Sequence, residues 1–178
     1  MSVTRVASRY AQALLDLSTE KNVVDKVNAD MVQLSNVCKE SKDFANLLSS
    51  PIVDAEKKSE IFTAIFDSKM DKMSLEFMNL VLKNSREDIL LQIANGFVSL
   101  YKKKNNILDV TVISATTLDN ATKDKIISKI KASFDGTIEL IEKVDASLIG
   151  GFIVRIDDKQ IDASIASQLS NLKNILLN

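Results

Sequence analysis

The sequence predicts a mainly α protein, an N-terminal six-helix bundle (residues 1–105) followed by a small α+β C-terminal domain (residues 106–178). Three observations predict it. Up to Asn105 the chain holds one proline and one glycine, with apolar residues recurring at 3–4 spacing. From Ile107 onward β-branched residues begin to alternate. Capping residues and helix breakers fall between the periodic segments.

In order, Val3, Val6, Tyr10, Ala13, Leu14 and Leu17 give a first helix from about Thr4, and Val24, Val27, Met31, Leu34 and Cys38 a second. "KDFANLLSS" is a short third helix that stops before Pro51, because the residue preceding proline avoids the helical region. Asp54 caps a fourth helix through Ile61, Phe62, Ile65 and Phe66, and Asp71 caps a fifth, "DKMSLEFMNLVLKNS". Ser85 with Asp88 reads as a capping box opening a sixth, through Ile89, Ile93, Phe97 and Leu100. "ILDVTVIS" is a strand with Leu108, Val110 and Val112 on one face. A helix capped by Asp119 follows, ended at Asp135-Gly136, where glycine can take the left-handed conformation. "TIELIEKV" and "GFIVRI" are two more strands, and Asp162 caps a final amphipathic helix with Ile165, Leu169, Leu172 and Leu176. Three strands and two helices are too few for a doubly wound sheet.

Composition narrows the function. The 178 residues are 46% hydrophobic and 26% charged with net charge −1, a soluble globular mixture without the basic face that nucleic acid requires. Residues 1–105 carry 15 Lys+Arg against 14 Asp+Glu, and the remainder 8 against 10, so neither part is strongly charged. There is no histidine and one cysteine. The usual transition-metal sites and nucleophile–base pairs therefore cannot be assembled, and the expectation is a chain with no catalytic residue, metal or cofactor. Cys38 reads as a small buried hydrophobe in a reducing compartment. The start lacks an apolar signal core, and "LIGGFIV" is far too short to span a bilayer. Any membrane contact is expected through a partner.

The pair Gly150-Gly151 sits between a turn and a strand, whereas a phosphate loop needs strand, glycine turn, then helix. The glycines are read as a corner where two strands meet at a tight bend. Asp157, Asp158 and Asp162 lack the spacing of a calcium loop and read as a polar turn and helix cap. Arg155 at a strand end reads as half of a structural ion pair, and Lys102–Lys104 as a solvated helix end complementing the dipole.

Helices 1 and 5 carry surplus apolar surface. Helix 1 is apolar over roughly 200° of its circumference, about twice what a one-sided core helix needs. On helix 5, Met73, Leu75, Phe77, Met78, Leu80, Val81 and Leu82 leave only a narrow polar strip. Such helices are either central in their own bundle or covered by another chain. The reading here is a groove for a partner's amphipathic helix, with the alanines of helix 1 allowing close approach.

"SRYAQALLDLS", "NSRED" and "DASLIGGFIVRIDDKQIDASIASQLSNL" resemble the delta subunit of bacterial rotary ATP synthases, the counterpart of the mitochondrial oligomycin-sensitivity-conferring protein. The resemblance runs over essentially the whole chain. It implies a noncatalytic link of the peripheral stalk, held at the cytoplasmic face of the bacterial inner membrane. The helical domain would hold the N-terminal helix of the ATP synthase alpha subunit, and the C-terminal domain the end of the ATP synthase b subunits. The groove is implied between helices 1 and 5, at Val6, Tyr10, Ala13, Leu17, Met73, Phe77 and Leu80. Gly150, Gly151, Arg155, Asp158, Asp162 and Ser164 carry the C-terminal motif. Asp157 stands where the family usually has glycine, and Ala166 near a position that is frequently basic. Two other readings compete: a cytosolic adaptor using the same groove, and an enzyme built on carboxylates and lysines, which requires a concave polar pocket with a strongly shifted ionisable group.

Overall fold

Asn22, Ser85 and Asn106 hold positive φ without being glycine, and each stands just beyond a helix. Helix α1 (Val3–Glu20) is closed by Val23 N–H to Ser18 O at 3.0 Å and Asn22 N–H to Thr19 O at 3.1 Å, the paired bonds of a Schellman motif. Helix α5 (Lys72–Lys83) closes in the same way, by Arg86 N–H to Val81 O at 3.1 Å and Ser85 N–H to Leu82 O at 2.8 Å. Ser85 therefore ends α5 and does not open the next helix. The expected capping box is absent because a residue at φ +52° closing one helix cannot hold the extended conformation of an N-cap. A short 3-10 turn, Glu87–Ile89, leads into α6 (Leu90–Lys104) in its place.

The computed structural model describes residues 3–50, 53–67, 69–117, 119–131, 134–146, 148, 150–156, 159–167 and 169. The chain divides into two compact units, Met1–Tyr101 and Lys102–Asn178. The first holds α1, α2 (Val24–Glu40), α3 (Lys42–Ser49), α4 (Ala55–Phe66), α5 and most of α6. Ser41 caps α3, accepting from Phe44 N–H, and α3 gives way to extended backbone at Ser50, as the residue before a proline requires. Asp54 stands at the N-cap position of α4 without a side-chain cap bond. The core joins all six helices and includes Met31, Leu34, Phe62, Phe66, Phe97 and the Cys38 side chain. Burial pushes the Cys38 thiol up to about 11, which keeps it a neutral hydrophobe. Phe44, Phe62 and Phe66 form a ring cluster with centroids 5.6–6.4 Å apart.

Within this unit Lys58 is only 1% exposed. Its ammonium donates to Glu87 Oε1 and Ser50 O, both at 2.7 Å, and to Leu48 O at 3.4 Å. The buried charge thus satisfies carbonyls at the end of α3 and ties them to the 3-10 turn.

The second unit is a four-stranded sheet in the order β2-β1-β3-β4, with α7 (Asn120–Lys131). Strand β1 (Ile107–Ser114) pairs parallel with β2 (Thr137–Val144), and α7 supplies the crossover that a parallel pair needs. Strand β3 (Gly151–Ile156) runs antiparallel to β1, and β4 (Lys159–Ser164) antiparallel to β3. Val110, Val112 and Val154 share the face packed by Ile126 of α7.

Strand β4 corrects the sequence reading, which placed a polar turn and a helix cap there. "KQIDAS" is polar because it is an edge strand, where charge and polarity guard unpaired backbone groups. Asp162 lies inside β4, opposite Ile153. The cap of the helical residues 165–167 is Ser164, whose Oγ accepts from Ser167 N–H at 3.2 Å. Asp119 does precede α7, and its carboxylate is held below the usual range by hydrogen bonding to Thr122. Gly136 is not in the left-handed region. A side chain there would overlap the Asn106 carbonyl, so close approach explains the glycine.

Candidate docking face and carboxyl-terminal motif

On α1, Val6, Tyr10, Ala13 and Leu17 are spaced 4, 3 and 4 residues apart, which aligns them along one stripe. The stripe lies to one side of the core-facing residues Ala7, Ala11 and Leu14. Leu17 is 43% exposed, Ala13 is exposed, and Val6 and Tyr10 are half-buried. The Tyr10 ring meets the Phe77 ring of α5 edge-on, with centroids 6.4 Å apart at 69°. Asn84, the C-cap of α5, donates through Nδ2 to Tyr10 Oη at 3.4 Å. Leu80, 51% exposed, continues the open apolar surface on α5.

Two of the seven residues assigned to this face are buried. Met73 (7% exposed) and Phe77 (9%) belong to the core, because α5 turns them inward with Ser74, Met78 and Val81. The alanines also divide differently from expectation. Ala7 and Ala11 are buried, and a Cβ on Gly96 of α6 would touch Ala11 Cβ at 3.4 Å, so Ala11 admits α6 and neither alanine is open to a visitor. Ala13 alone among them is open.

Asp30 of α2 was invisible to sequence reasoning. Its buried carboxylate accepts the Asp71 N–H at 2.9 Å and the Ser74 hydroxyl, clamping the start of α5. Asp71 Oδ1 adds the expected cap bond from Met73 N–H at 3.0 Å. A lone acid at a helical core position signals such a clamp, but its partner is 41 residues away.

In the second unit the carboxyl-terminal motif proves to be a hairpin. Gly151 stands opposite Ser164, Ile153 opposite Asp162 and Arg155 opposite Gln160. Gly151 has φ +80°, and a side chain there would overlap the Ala163 carbonyl. The glycine pair is not a corner between β2 and β3, since β1 lies between those strands; Gly151 admits β4, and Gly150 makes room for the Ile165 side chain that follows it. Gly150 O accepts from Ile165 N–H at 3.0 Å. Asp162 accepts from Ser164 N–H at 2.9 Å and from Ser167 Oγ at 2.7 Å, and these bonds hold its carboxyl below the usual range. Arg155 Nε donates to Gln160 Oε1 at 2.9 Å, so among the described residues its partner is an amide where a carboxylate was expected. Asp157 and Asp158 lie outside the described residues, as does the helix expected from residue 170 onward. Ile161, Ile165 and Leu169 are exposed beside this hairpin.

Lys102 departs from the reading of a solvated helix end. Its ammonium bridges Asp109 and Glu139, each at 2.7 Å. Burial works to lower its pKa, but the hydrogen bonds and charges of the two acids together raise it.

A cleft of about 430 Å³ is lined by Leu48, Ser50, Val53, Asp54, Glu87 and Asp88, among others. The groups whose titration moves, Cys38, Lys102, Asp119 and Asp162, are not among its lining residues. Lys58, which pairs with the lining residue Glu87, has all three protons committed to acceptors. Among the described residues no group of His, Cys, Asp or Glu is placed to hold a metal ion, and no helix is long and apolar enough to cross a membrane.

Compared with known proteins, residues 6–176 match the ATP synthase delta (OSCP) subunit family. The chain belongs to this family. It is 38% identical over 176 residues to the ATP synthase subunit delta of Cytophaga hutchinsonii, covering 98% of this chain and 95% of that one. It is 37% identical to the subunit of the same name from Prochlorococcus marinus, covering 94% and 93%. A chain of the Toxoplasma gondii mitochondrial ATP synthase hexamer shares the fold, with TM-score 0.76 and 23% identity over 97% of both chains. Family membership places the chain among the subunits of a complex of ATP synthesis and ion transport.

Proposed function

We propose that the chain is a noncatalytic peripheral-stalk subunit that ties the catalytic head of a rotary ATP synthase to its stalk and resists rotor torque. Residues 1–105 dock the N-terminal helix of the alpha subunit on α1 and α5, and residues 106–178 engage the b subunits. It lies at the cytoplasmic face of the membrane and reaches it only through these partners. The observation that carries the reading is the open apolar stripe of Val6, Tyr10, Ala13, Leu17 and Leu80 on an otherwise well-packed bundle. Such a stripe fits the apolar side of an amphipathic helix. Phe77 supports it from beneath by fixing the Tyr10 ring. Exposed Ile161, Ile165 and Leu169 support a second contact, for b. A tether needs two firm surfaces and no active site.

Burying Leu17 or Leu80 against a guest contributes about 1.5–3 kcal/mol each, and about 1.4 kcal/mol is tenfold in affinity. Leu80→Asp and Leu17→Asp are therefore expected to weaken binding of an alpha-subunit N-terminal peptide by about 10–100-fold, with far-UV circular dichroism unchanged. Full affinity in both variants overturns the docking face. Pull-down from solubilised membranes should recover alpha and b subunits with the full chain. Recovery of an unrelated helical protein without them would favour the adaptor reading.

A further inference from the structure

Each member of the apolar stripe on α1 follows directly after a polar one. Arg5 precedes Val6, Arg9 precedes Tyr10, Gln12 precedes Ala13 and Asp16 precedes Leu17, and Glu20 extends the row by one more turn. These five residues are all exposed. At about 100° per residue they form a second stripe along the outer edge of the docking face, on its side away from the core. Read along the helix, its charges run positive, positive, neutral, negative, negative.

That order works against α1 itself. A helix is stabilised by acids in its first turn and bases in its last, and α1 has neither. Arg5 with Arg9, and Asp16 with Glu20, are like charges four residues apart, which repel along a helix. Among the described residues no ion pair compensates them, and Asp16 accepts only from Gln12 Nε2 at 2.9 Å. On α5 the charges are explained locally: Lys72 pairs with Glu76 at 3.8 Å, and Lys83 occupies the last turn, where a cation is favoured. The α1 charges have no such local explanation, and they border the one long apolar strip left open on that helix.

We propose that this stripe selects the direction of the docked helix. The guest carries acidic side chains where it passes Arg5 and Arg9 and basic ones where it passes Asp16 and Glu20. Opposed charges at the rim of an interface fix register and reject the reversed arrangement, while the apolar strip supplies most of the affinity. Because a helix favours acids near its own amino end and bases near its carboxyl end, such a guest lies parallel to α1. The inference rests on the docking reading and adds polarity to it.

The test uses the full chain, isotopically labelled, and two synthetic amphipathic helices with leucines at 3–4 spacing, each long enough to span α1. One carries Glu in its first half and Lys in its second, and the other the reverse; both bear a nitroxide at the amino end. The expected result is that the acid-first peptide broadens amide signals near Val6 and the base-first peptide broadens those near Leu17. In the variant Arg5→Glu, Arg9→Glu, Asp16→Lys, Glu20→Lys the two patterns should exchange, and at high salt the preference should fade. Broadening at the same end with both peptides, or equally at both ends, overturns the proposal while leaving the docking face intact. Failure of both peptides to bind overturns the docking face and the proposal together. Swapping the peptides on the unaltered chain keeps the test decisive should the variant fail to fold.

Discussion

The two units differ in how much apolar material each encloses. The helical unit surrounds a continuous core drawn from all six helices, including four large side chains, Phe62, Phe66, Phe97 and Leu14, with almost no exposure. The second unit closes around Val110, Val112, Ile126 and Val154, and leaves Ile141, Val144, Ile161, Ile165 and Leu169 exposed. Apolar surface that a domain does not bury is either a docking face or a liability. In the helical unit its two most exposed members, Leu17 and Leu80, belong to the stripe on α1 and α5, while Val32 of α2 and Ile65 of α4 are exposed singly elsewhere. In the second it spans both edge strands and the helical residues after β4, and shape there rests more on backbone fit. The helical unit should accordingly be hurt most by lost volume, and the sheet unit by lost backbone freedom.

The largest effect is expected for Phe62→Ala. Removing a fully buried ring costs about 3–5 kcal/mol, enough to consume much of a small domain's stability. Urea denaturation followed by amide exchange should show protection collapsing in α2, α4 and α6. A loss below about 1 kcal/mol would mean that the ring cluster of Phe44, Phe62 and Phe66 is not a fixed core. Gly151→Ala is the counterpart in the sheet unit. It places a side chain at φ +80° against the Ala163 carbonyl, and strain of this kind costs on the order of 1–3 kcal/mol. The β3–β4 amides should lose protection first; an unchanged hairpin would remove the close-approach account of the motif.

A narrower contrast lies within α1. Ala11→Leu forces a side chain into the contact with Gly96 and is expected to destabilise by about 1–3 kcal/mol. Ala13→Leu, two residues on, enters open space and should stay within about 0.5 kcal/mol. Equal effects in a thermal melt would erase the distinction between the core side and the docking side of this helix.

Helix existence and order were legible because each segment of the first unit repeats its apolar residues at 3–4 spacing between recognisable breaks. The surplus on α1 and α5 was legible for the same reason, but its direction was not. A wheel shows that Ala7, Ala11 and Ala13 are all small and apolar; only the position of Gly96, 85 residues beyond Ala11, shows that Ala11 faces α6. Ser85 was misread because the same residue type can cap a helix start or, less often, close a helix end at positive φ, and backbone conformation is not written in side-chain periodicity. Strand β4 was missed because an edge strand hides its alternation under polar residues, with Ile161 and Ala163 as its only apolar members. The glycine pair reads in the sequence as a bend between strands, and only the pairing register sets Gly151 against Ser164.

The smallest expected effect concerns Lys102, and its sign is fixed by linkage. Asp109 and Glu139 raise the folded-state pKa of Lys102 above the ordinary 10.5, so the folded state binds its proton more tightly than the unfolded chain does. The stabilisation is fully present below about pH 10.5 and is lost progressively as pH rises through the raised value. Both acids are substantially exposed, so the bridge contributes no more than about 1 kcal/mol. Denaturation midpoints for the unaltered chain and for Lys102→Met should differ by that amount at pH 8 and converge in stronger alkali. In salt the difference should shrink, since partly exposed charges are screened. A gap that widened with alkali would mean that the methylene stem, and not the ammonium, holds the start of the second unit, and would return Lys102 to the role of a helix end whose charge is incidental.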